Sequence, residues 1–240
     1  MKKSVAIAIF IAVVTATPAQ AAVVAFTNKA LFDAAIAGFT SSQTVDFESV
    51  AAGTTFPSGT GTGGLTFTYS IDGLSLQVSD VFGTTSGFNY LGLDNPDTAF
   101  FLGDSVTINF NQTVNAIGLY AIAGSDAQAG DIKLSAGGGS VMNSATADTT
   151  VSDGEAFFLG LVETDLTLGF TSAIVEGIVP ASGNAFLAFT VDDITIAGDI
   201  AVSQIPEPGV WSMLLAGFGL LAWRRRREER CAQFNNHSSV

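Results

Sequence analysis

Carboxylates are the side chains most able to do chemistry in the central part of this 240-residue sequence. Residues 22–203 contain neither Cys nor His, because Cys231 and His237 both lie close to the C-terminus. This excludes Ser-His-Asp and Cys-His nucleophilic sites, the common zinc sites and disulfides from that region. What remains is chemistry that Asp and Glu perform, namely glycoside hydrolysis by a carboxylate pair or the binding of calcium through oxygen ligands.

The pair Asp192-Asp193 is the strongest candidate for a functional carboxylate site in this region. Phe189 and Val191 share one parity along the predicted strand, whereas Ile194 has the other, so the alternation changes phase at the two aspartates. A β-bulge there would restore the pattern. It would also move one carboxylate toward a buried position, where it needs a cation or hydrogen bonds.

Asp46 and Glu48 lie two residues apart in the first predicted strand and therefore share a face. In sandwiches whose first and last strands pair, they would meet Asp192 and Asp193. Calcium is the natural ligand of such a group, since it takes about six to eight oxygen ligands. The alternative is that all four are exposed carboxylates near a strand end.

A second candidate region precedes the middle of the chain. Asp94, Asn95 and Asp97 offer calcium-compatible oxygens at close spacing, although Asp and Asn beside a proline equally indicate an ordinary turn. Tyr90 is the best candidate for stacking on a sugar ring, because both tryptophans lie after residue 210. A catalytic pair has no specific signal among so many acidic residues, and we predict that the protein is not an enzyme.

The charge balance of residues 22–203 restricts the partners. This region has 19 acidic residues and two basic ones, Lys29 and Lys133, which makes a net charge of −17. Nucleic acids and phosphates are excluded as partners, because their recognition needs lysine or arginine. Simple solubility and the gathering of divalent cations both remain compatible with this charge.

The central region is predicted to be one extracytoplasmic domain, residues 22–203, with an all-β fold. A short helix is expected over Thr27–Gly38, capped by Thr27 or Asn28, and its apolar face is predicted to contain Leu31, Phe32, Ala35 and Ile36. Asp72-Gly73 is a hairpin signal. Eight runs rich in Val, Ile, Thr and Phe predict a two-sheet β-sandwich of jelly-roll or Greek-key type. The predicted strands are Thr44–Glu48, Leu65–Ile71, Leu74–Ser79, Ser105–Phe110, Thr113–Ala123, Asp131–Ala136, Glu155–Val162 and Phe186–Ala197.

The N-terminus is typical of a secretory signal peptide over residues 1–21. Two lysines precede a short apolar stretch, and Ala19 and Ala21 form a small-x-small cleavage site. We predict translocation through the Sec translocon and a mature chain that begins near Ala22.

The C-terminus combines a rigid tripeptide, an apolar run and a basic cluster. The run, residues 209–223, is shorter than the roughly 20 residues of a comfortable spanning helix, but Trp211 and Trp223 flank it as interfacial aromatics do. The positive-inside rule predicts a single-pass anchor with a cytoplasmic C-terminus. The tripeptide is Pro206, Glu207 and Pro208, and the cluster is Arg224, Arg225, Arg226 and Arg227.

Residues 204–227 resemble the PEP-CTERM sorting segment of exported proteins of Gram-negative bacteria, which carries the same order of Pro-Glu-Pro, apolar run and arginines. The resemblance implies processing by the membrane protease-transpeptidase called exosortase at Pro206, Glu207 and Pro208. The apolar run would be a transient anchor in the inner membrane. This chain departs from the pattern in continuing past the arginines, and residues 228–240 are predicted to be a disordered cytoplasmic tail.

The resemblance also implies a destination and a role for the central domain. Such proteins are sorted to the cell surface or extracellular matrix, where an association with exopolysaccharide and biofilm is expected. The central region loosely resembles the β-sandwich domains that often precede this signal. A calcium-dependent carbohydrate-binding module is the alternative, by resemblance to jelly rolls whose structural calcium links their terminal strands.

Overall fold

The computed structural model describes residues 23–71, 73–179 and 187–199. The predicted signal peptide with its cleavage site after Ala21, the sorting segment and the C-terminal tail lie outside these residues. In the described part of the chain, no helix has the length and apolarity needed to cross a bilayer.

The described residues form an all-β fold of two antiparallel sheets with one short helix, α1 (Lys29–Ile36). This confirms the predicted two-sheet class. The strands are β1 (Val23–Phe26), β2 (Ser41–Val45), β3 (Thr55–Phe56), β4 (Leu65–Tyr69), β5 (Leu76–Ser79), β6 (Tyr90–Leu93), β7 (Phe100–Phe101), β8 (Ser105–Val114), β9 (Ala116–Ala123), β10 (Ile132–Ala136), β11 (Gly139–Met142), β12 (Thr149–Val151), β13 (Gly154–Glu163), β14 (Phe170–Gly177) and β15 (Ala188–Gly198).

The larger sheet has ten strands and the smaller one five. The central path of the larger sheet is β1-β13-β9-β15-β6-β5-β3, with β12 beside β13 and both β2 and β7 beside β15. The smaller sheet has the order β11-β10-β14-β8-β4. The main core lies between the sheets, where side chains such as Phe67 and Ile108 of one meet Phe157 and Leu159 of the other.

Burial patterns of the strands follow from what covers each face. In β8 the residues from Ser105 to Phe110 alternate between buried and more exposed positions, as expected of a strand with one solvated face. Every residue of β9 is buried, because the outer face of this strand is covered as well. A second, smaller core on that outer face contains Phe32, Tyr120 and Phe158.

Helix α1 covers the outer face of the larger sheet. Asn28 caps it by accepting a hydrogen bond from the Leu31 amide at 3.1 Å, which confirms the predicted capping position. Phe32 and Ile36 are buried against the sheet, but Leu31 is 65% exposed. The prediction of Leu31 on the buried face is therefore wrong.

The chain passes from one sheet to the other at Asn115, so the predicted single strand Thr113–Ala123 is wrong. β8 extends to Val114 in the smaller sheet, and β9 begins at Ala116 in the larger one. The Asn115 side chain is buried at this corner and donates to the Leu168 carbonyl at 2.6 Å. This hydrogen bond gives the buried Asn115 amide the partner that a polar group needs inside a protein.

The predicted hairpin at Asp72-Gly73 is also wrong, although Asp72 itself lies outside the described residues. β4 pairs with β8 in the smaller sheet, while β5 pairs with β3 and β6 in the larger one. A tight hairpin is found at Gly137-Gly138 between β10 and β11 instead. Both glycines have positive φ (57° and 85°), which is the requirement of a two-residue type I′ turn.

Candidate functional site

The two aspartates of β15 lie at a β-bulge, as predicted. The pairing of β15 with β9 shifts register between Asp192 and Thr195, and Asp193 has the left-handed φ of 50° that absorbs the extra residue. Phe189, Val191 and Ile194 consequently all reach the main core. Asp192 is 0% exposed, so the prediction that one carboxylate is driven into a buried position is confirmed.

Both aspartates bind the β5–β6 loop, residues 80–89. The Asp192 Oδ2 atom accepts from the Thr85 amide at 2.9 Å, the Thr85 hydroxyl at 2.8 Å and the Ser86 amide at 3.4 Å. Asp193 accepts from the Thr85 hydroxyl at 2.8 Å and the Ser86 hydroxyl at 2.6 Å. The bulge therefore aims two carboxylates at two consecutive loop residues.

Glu48 holds the other end of the same loop. Its Oε1 atom accepts from the amides of Phe88 and Asn89, both at 2.7 Å. The loop comes so close that a Cβ on Gly87, which has φ of 57°, would collide with the Glu48 carboxylate. We call Glu48, Asp192 and Asp193 the carboxylate latch, since together they fix the loop from 85 to 89.

Burial of Asp192 determines the electrostatics of the latch. Desolvation, followed by the charge of Asp193, raises the pKa of Asp192 to about 7, against the opposing effect of the hydrogen bonds from Thr85. The Thr85 hydroxyl lies 2.8 Å from a carboxylate oxygen of each aspartate but has a single proton to donate. The hydroxyl therefore donates to one of the two aspartates at a time.

Asp46 and Glu48 do not share a strand face, because β2 ends at Val45. That prediction is wrong for a local reason. Phe47 adopts φ of 61° and buries its ring, which turns the chain out of the strand. The Asp46 carboxylate then accepts from the Glu48 amide at 3.1 Å, as in an Asx turn.

Three of the four predicted calcium ligands meet at this loop, and each accepts hydrogen bonds from it. Within the described residues, no group of three or more Asp, Glu, His or Cys side chains has the arrangement of a metal site. The oxygens of Asp192 and Asp193 that face the loop are occupied by amides and hydroxyls. These hydrogen bonds fit carboxylates that hold a loop better than carboxylates that bind calcium.

The second candidate region is a turn at the end of β6. Asn95 closes it by exchanging hydrogen bonds with the Ala99 backbone at 2.9 and 3.2 Å, while Asp94 and Asp97 are exposed. Tyr90 is 0% exposed and its hydroxyl lies 2.6 Å from the Thr98 hydroxyl. The prediction of Tyr90 as an accessible stacking residue is therefore wrong.

Two features of this region were missed by the sequence reasoning. Thr85 and Ser86 bind the bulge from more than 100 positions away, and nothing in their local sequence indicates that partner. The same loop exposes large apolar side chains, with Phe88 77% exposed and Val81 63% exposed. The sequence signal for these exposed side chains was the composition of the loop, in which Phe82 and Phe88 lie next to Gly83 and Gly87.

The comparison with protein families decides what the C-terminal segment is. Residues 204–227 match the family model of the PEP-CTERM protein-sorting motif. The chain carries a PEP-CTERM sorting signal. The signal implies processing by an exosortase and export to the cell surface. No curated protein matches the chain in sequence. The motif covers about a tenth of the chain and describes its handling, not the activity of the β domain.

Proposed function

We propose that this protein is an exported, non-enzymatic component of the cell surface or extracellular matrix that associates with exopolysaccharide. The observation that carries the proposal is the PEP-CTERM motif at residues 204–227. In this proposal the Sec translocon exports the chain across the inner membrane of a Gram-negative bacterium. The apolar run holds it transiently with the C-terminus in the cytoplasm, and an exosortase then cleaves at Pro-Glu-Pro.

The described β domain supports a non-catalytic role. Its most buried acid, Asp192, and the neighbouring Asp193 are engaged in holding a loop. A general acid for glycoside hydrolysis must instead face a substrate at a set distance from a second carboxylate. The net charge of −17 over residues 22–203 is consistent with an extracellular protein and argues against nucleic acid as a partner.

The sorting step is tested with the mass of the intact protein in its native host. We expect an extracellular form that begins near Ala22 and ends around residues 206–208. Replacing the motif by Pro206→Ala and Pro208→Ala should leave a membrane-bound chain that retains the apolar run. Pro96→Ala is the matched control, since Pro96 lies in an exposed turn outside the motif. It should be processed normally.

Two results would count against sorting. One is an extracellular protein that keeps residues 209–240, and the other is unchanged processing after deletion of the exosortase.

Exopolysaccharide association is a separate step, tested by extracting the matrix of strains with and without polysaccharide export. The protein should remain in the matrix in the first strain and enter the medium in the second.

Calcium-dependent carbohydrate binding is the second candidate. It is supported by the convergence of Glu48, Asp192 and Asp193 on one loop. It requires calcium to compete with the amide and hydroxyl donors that these oxygens already have. Retention on polysaccharide that is lost with a chelator and restored by calcium would favour this candidate over a purely structural role.

A further inference from the structure

The outer face of the smaller sheet differs from the rest of the domain in charge. Its five described strands contain one of the 19 acidic residues of region 22–203, Glu176, and one of the two lysines, Lys133. The two side chains pair at 2.8 Å. This surface, which we call the neutral face, therefore has no net charge in a domain whose net charge is −17.

The side chains of the neutral face are mostly short hydroxyls and amides. In β8, Val106 and Ile108 point into the core, so Thr107 and Asn109 point outward. The other four strands of this sheet alternate in the same way. The outward hydroxyl and amide residues include Thr66, Thr68, Thr107, Asn109, Ser140 and Ser172.

Strand register arranges part of the neutral face in a row across the sheet. Thr68 lies opposite Thr107, and Thr107 lies opposite Ile174. Ile174 lies opposite Ser135, which in turn lies opposite Ser140. Because neighbouring strands are about 4.8 Å apart, the row is about 19 Å long. The face thus offers an extended track for a chain molecule.

An open groove of about 360 Å³ lies at the β10–β11 end of this row. It is bordered by Lys133, Ser140, Ser172 and Ile174 and by the glycine turn 137–139. The hydroxyls of Ser140 and Ser172 make no hydrogen bond to other described residues, so they can bind a ligand. Ile174 is 40% exposed and gives the groove an apolar contact.

We propose that the neutral face binds an uncharged polysaccharide, which lies across the strands along the row from Thr68 to Ser140. This inference rests on the proposed association with exopolysaccharide and names the surface and the charge class of the glycan. Sugar hydroxyls both donate and accept hydrogen bonds, as the hydroxyl and amide side chains of this face do. The pair of Lys133 and Glu176 adds a charged donor and a charged acceptor.

Charge decides between neutral and acidic glycans. A polysaccharide that bears carboxylates is repelled by the net charge of −17, whereas an uncharged one is not. Binding through many separate hydrogen bonds, without a stacking ring, makes each contact weak. The affinity should therefore rise with the length of the glycan, and glucose should compete poorly with a polymer.

The test uses the full chain in native gels that contain a dissolved polysaccharide. The neutral probes are dextran, laminarin and galactomannan, and the acidic probe is alginate. At least one neutral probe should retard the protein, and alginate should not. Glucose at the same sugar concentration should leave the retardation in place.

Charge substitutions locate the binding surface. Thr107→Glu places an unpaired carboxylate in the middle of the row and should weaken binding by about tenfold. Thr149→Glu is the matched control, because Thr149 is exposed on β12 of the larger sheet, and it should bind as the wild type does. If Thr107→Glu fails to fold, Ser140→Glu adds the same charge at an exposed position of the groove and should weaken binding as well.

Three results would overturn the proposal: no retardation by any neutral probe, stronger retardation by alginate, or equal losses in Thr107→Glu and Thr149→Glu. If the wild type nevertheless stays in the matrix of its host, the proposed function stands and this surface alone is wrong. A protein that binds a neutral probe through this face but leaves the matrix would confirm the surface and contradict the proposed function.

Discussion

Asp192 shows how a sequence irregularity becomes a buried charge. A regular strand would place residues 192 and 194 on the same face, and the bulge instead keeps both Val191 and Ile194 in the core. The cost is a carboxylate without access to water, and the donors of Thr85 offset part of it. The remaining cost appears as the raised pKa of Asp192.

The raised pKa predicts that Asp192 makes the protein less stable as the pH increases. The pKa rises from 3.8 in the unfolded chain to about 7 in the fold, so the folded state binds the proton more tightly. This contribution is fully present below pH 3.8 and is lost as the pH rises through about 7. Over that range it amounts to roughly 4 kcal/mol of the free energy of unfolding.

Asp192→Asn provides the measurement, because an amide cannot ionise and resembles the protonated acid in shape. Urea unfolding followed by circular dichroism at pH 5 and pH 8 should show a smaller loss of stability in the variant than in the wild type. Asp94→Asn is the control, since Asp94 is exposed, and it should keep the wild-type pH dependence. Identical pH dependence in wild type and Asp192→Asn would mean that Asp192 is ionised in the fold.

At the scale of elements, helix α1 depends on two glycines in the sheet beneath it. A Cβ on Gly118 would lie 2.6 Å from the Phe158 ring, and one on Gly160 would lie 2.7 Å from both Phe158 and Phe32. The absence of these side chains makes room for Phe32, whose ring centroid is 5.1 Å from that of Phe158. Phe32 therefore packs closely on the sheet because these two strand positions carry no side chain.

Gly160→Ala should therefore destabilise the protein by overpacking. We expect a loss of about 1–3 kcal/mol, or a decrease in Tm of roughly 2–12 °C for a domain of this size. Differential scanning calorimetry would measure it. Gly38→Ala is the matched control, because a Cβ there meets no atom within 4 Å, and its Tm should stay near that of the wild type.

A second substitution tests whether the contact with Phe32 is the cause. Phe32→Leu should recover part of the Tm that Gly160→Ala loses, since the smaller side chain vacates the space that the new methyl group needs. Purely additive losses in the double variant would attribute the effect of Gly160→Ala to the strand and not to the helix.

Elements with a local signal were predictable, and those that depend on distant pairing were not. The cap at Asn28 and the bulge at Asp192-Asp193 are visible as residue types and parity changes. The short strands β6 and β7 were not predicted, because they are stabilised by pairing with β15, about 100 residues later. The failure at Asp72-Gly73 has the same origin, since a turn signal does not specify which sheet receives each strand.

The candidate site followed the same division between local and distant information. That Asp192 would be buried followed from the parity of its neighbours, but its partners Thr85 and Ser86 did not. Tyr90 was chosen as a ligand-binding residue because both tryptophans lie after residue 210. It is instead buried, and the ring of Phe82 from the β5–β6 loop stacks on it.

At the scale of the whole molecule, charge repulsion opposes the compact state. Lys29 pairs with Asp33 at 2.6 Å and Lys133 with Glu176 at 2.8 Å, and these are the two basic residues of region 22–203. The remaining acidic residues leave the net charge of −17. Such self-repulsion destabilises a folded domain and is screened by salt, with a Debye length that falls from about 30 Å at 0.01 M to about 8 Å at 0.15 M.

We expect salt to stabilise the domain and calcium to have no effect beyond its ionic strength. Raising NaCl from 10 to 500 mM should increase Tm by several degrees, and KCl should do the same. A calcium site with a Kd near 1 μM would contribute about 4 kcal/mol at 1 mM calcium, a rise in Tm of roughly 8–16 °C. With 1 mM CaCl₂ in 150 mM NaCl we expect less than about 1 °C relative to MgCl₂, because the latch oxygens already have protein donors. A large calcium-specific increase that Glu48→Gln abolishes would contradict this and would identify the latch as a calcium site.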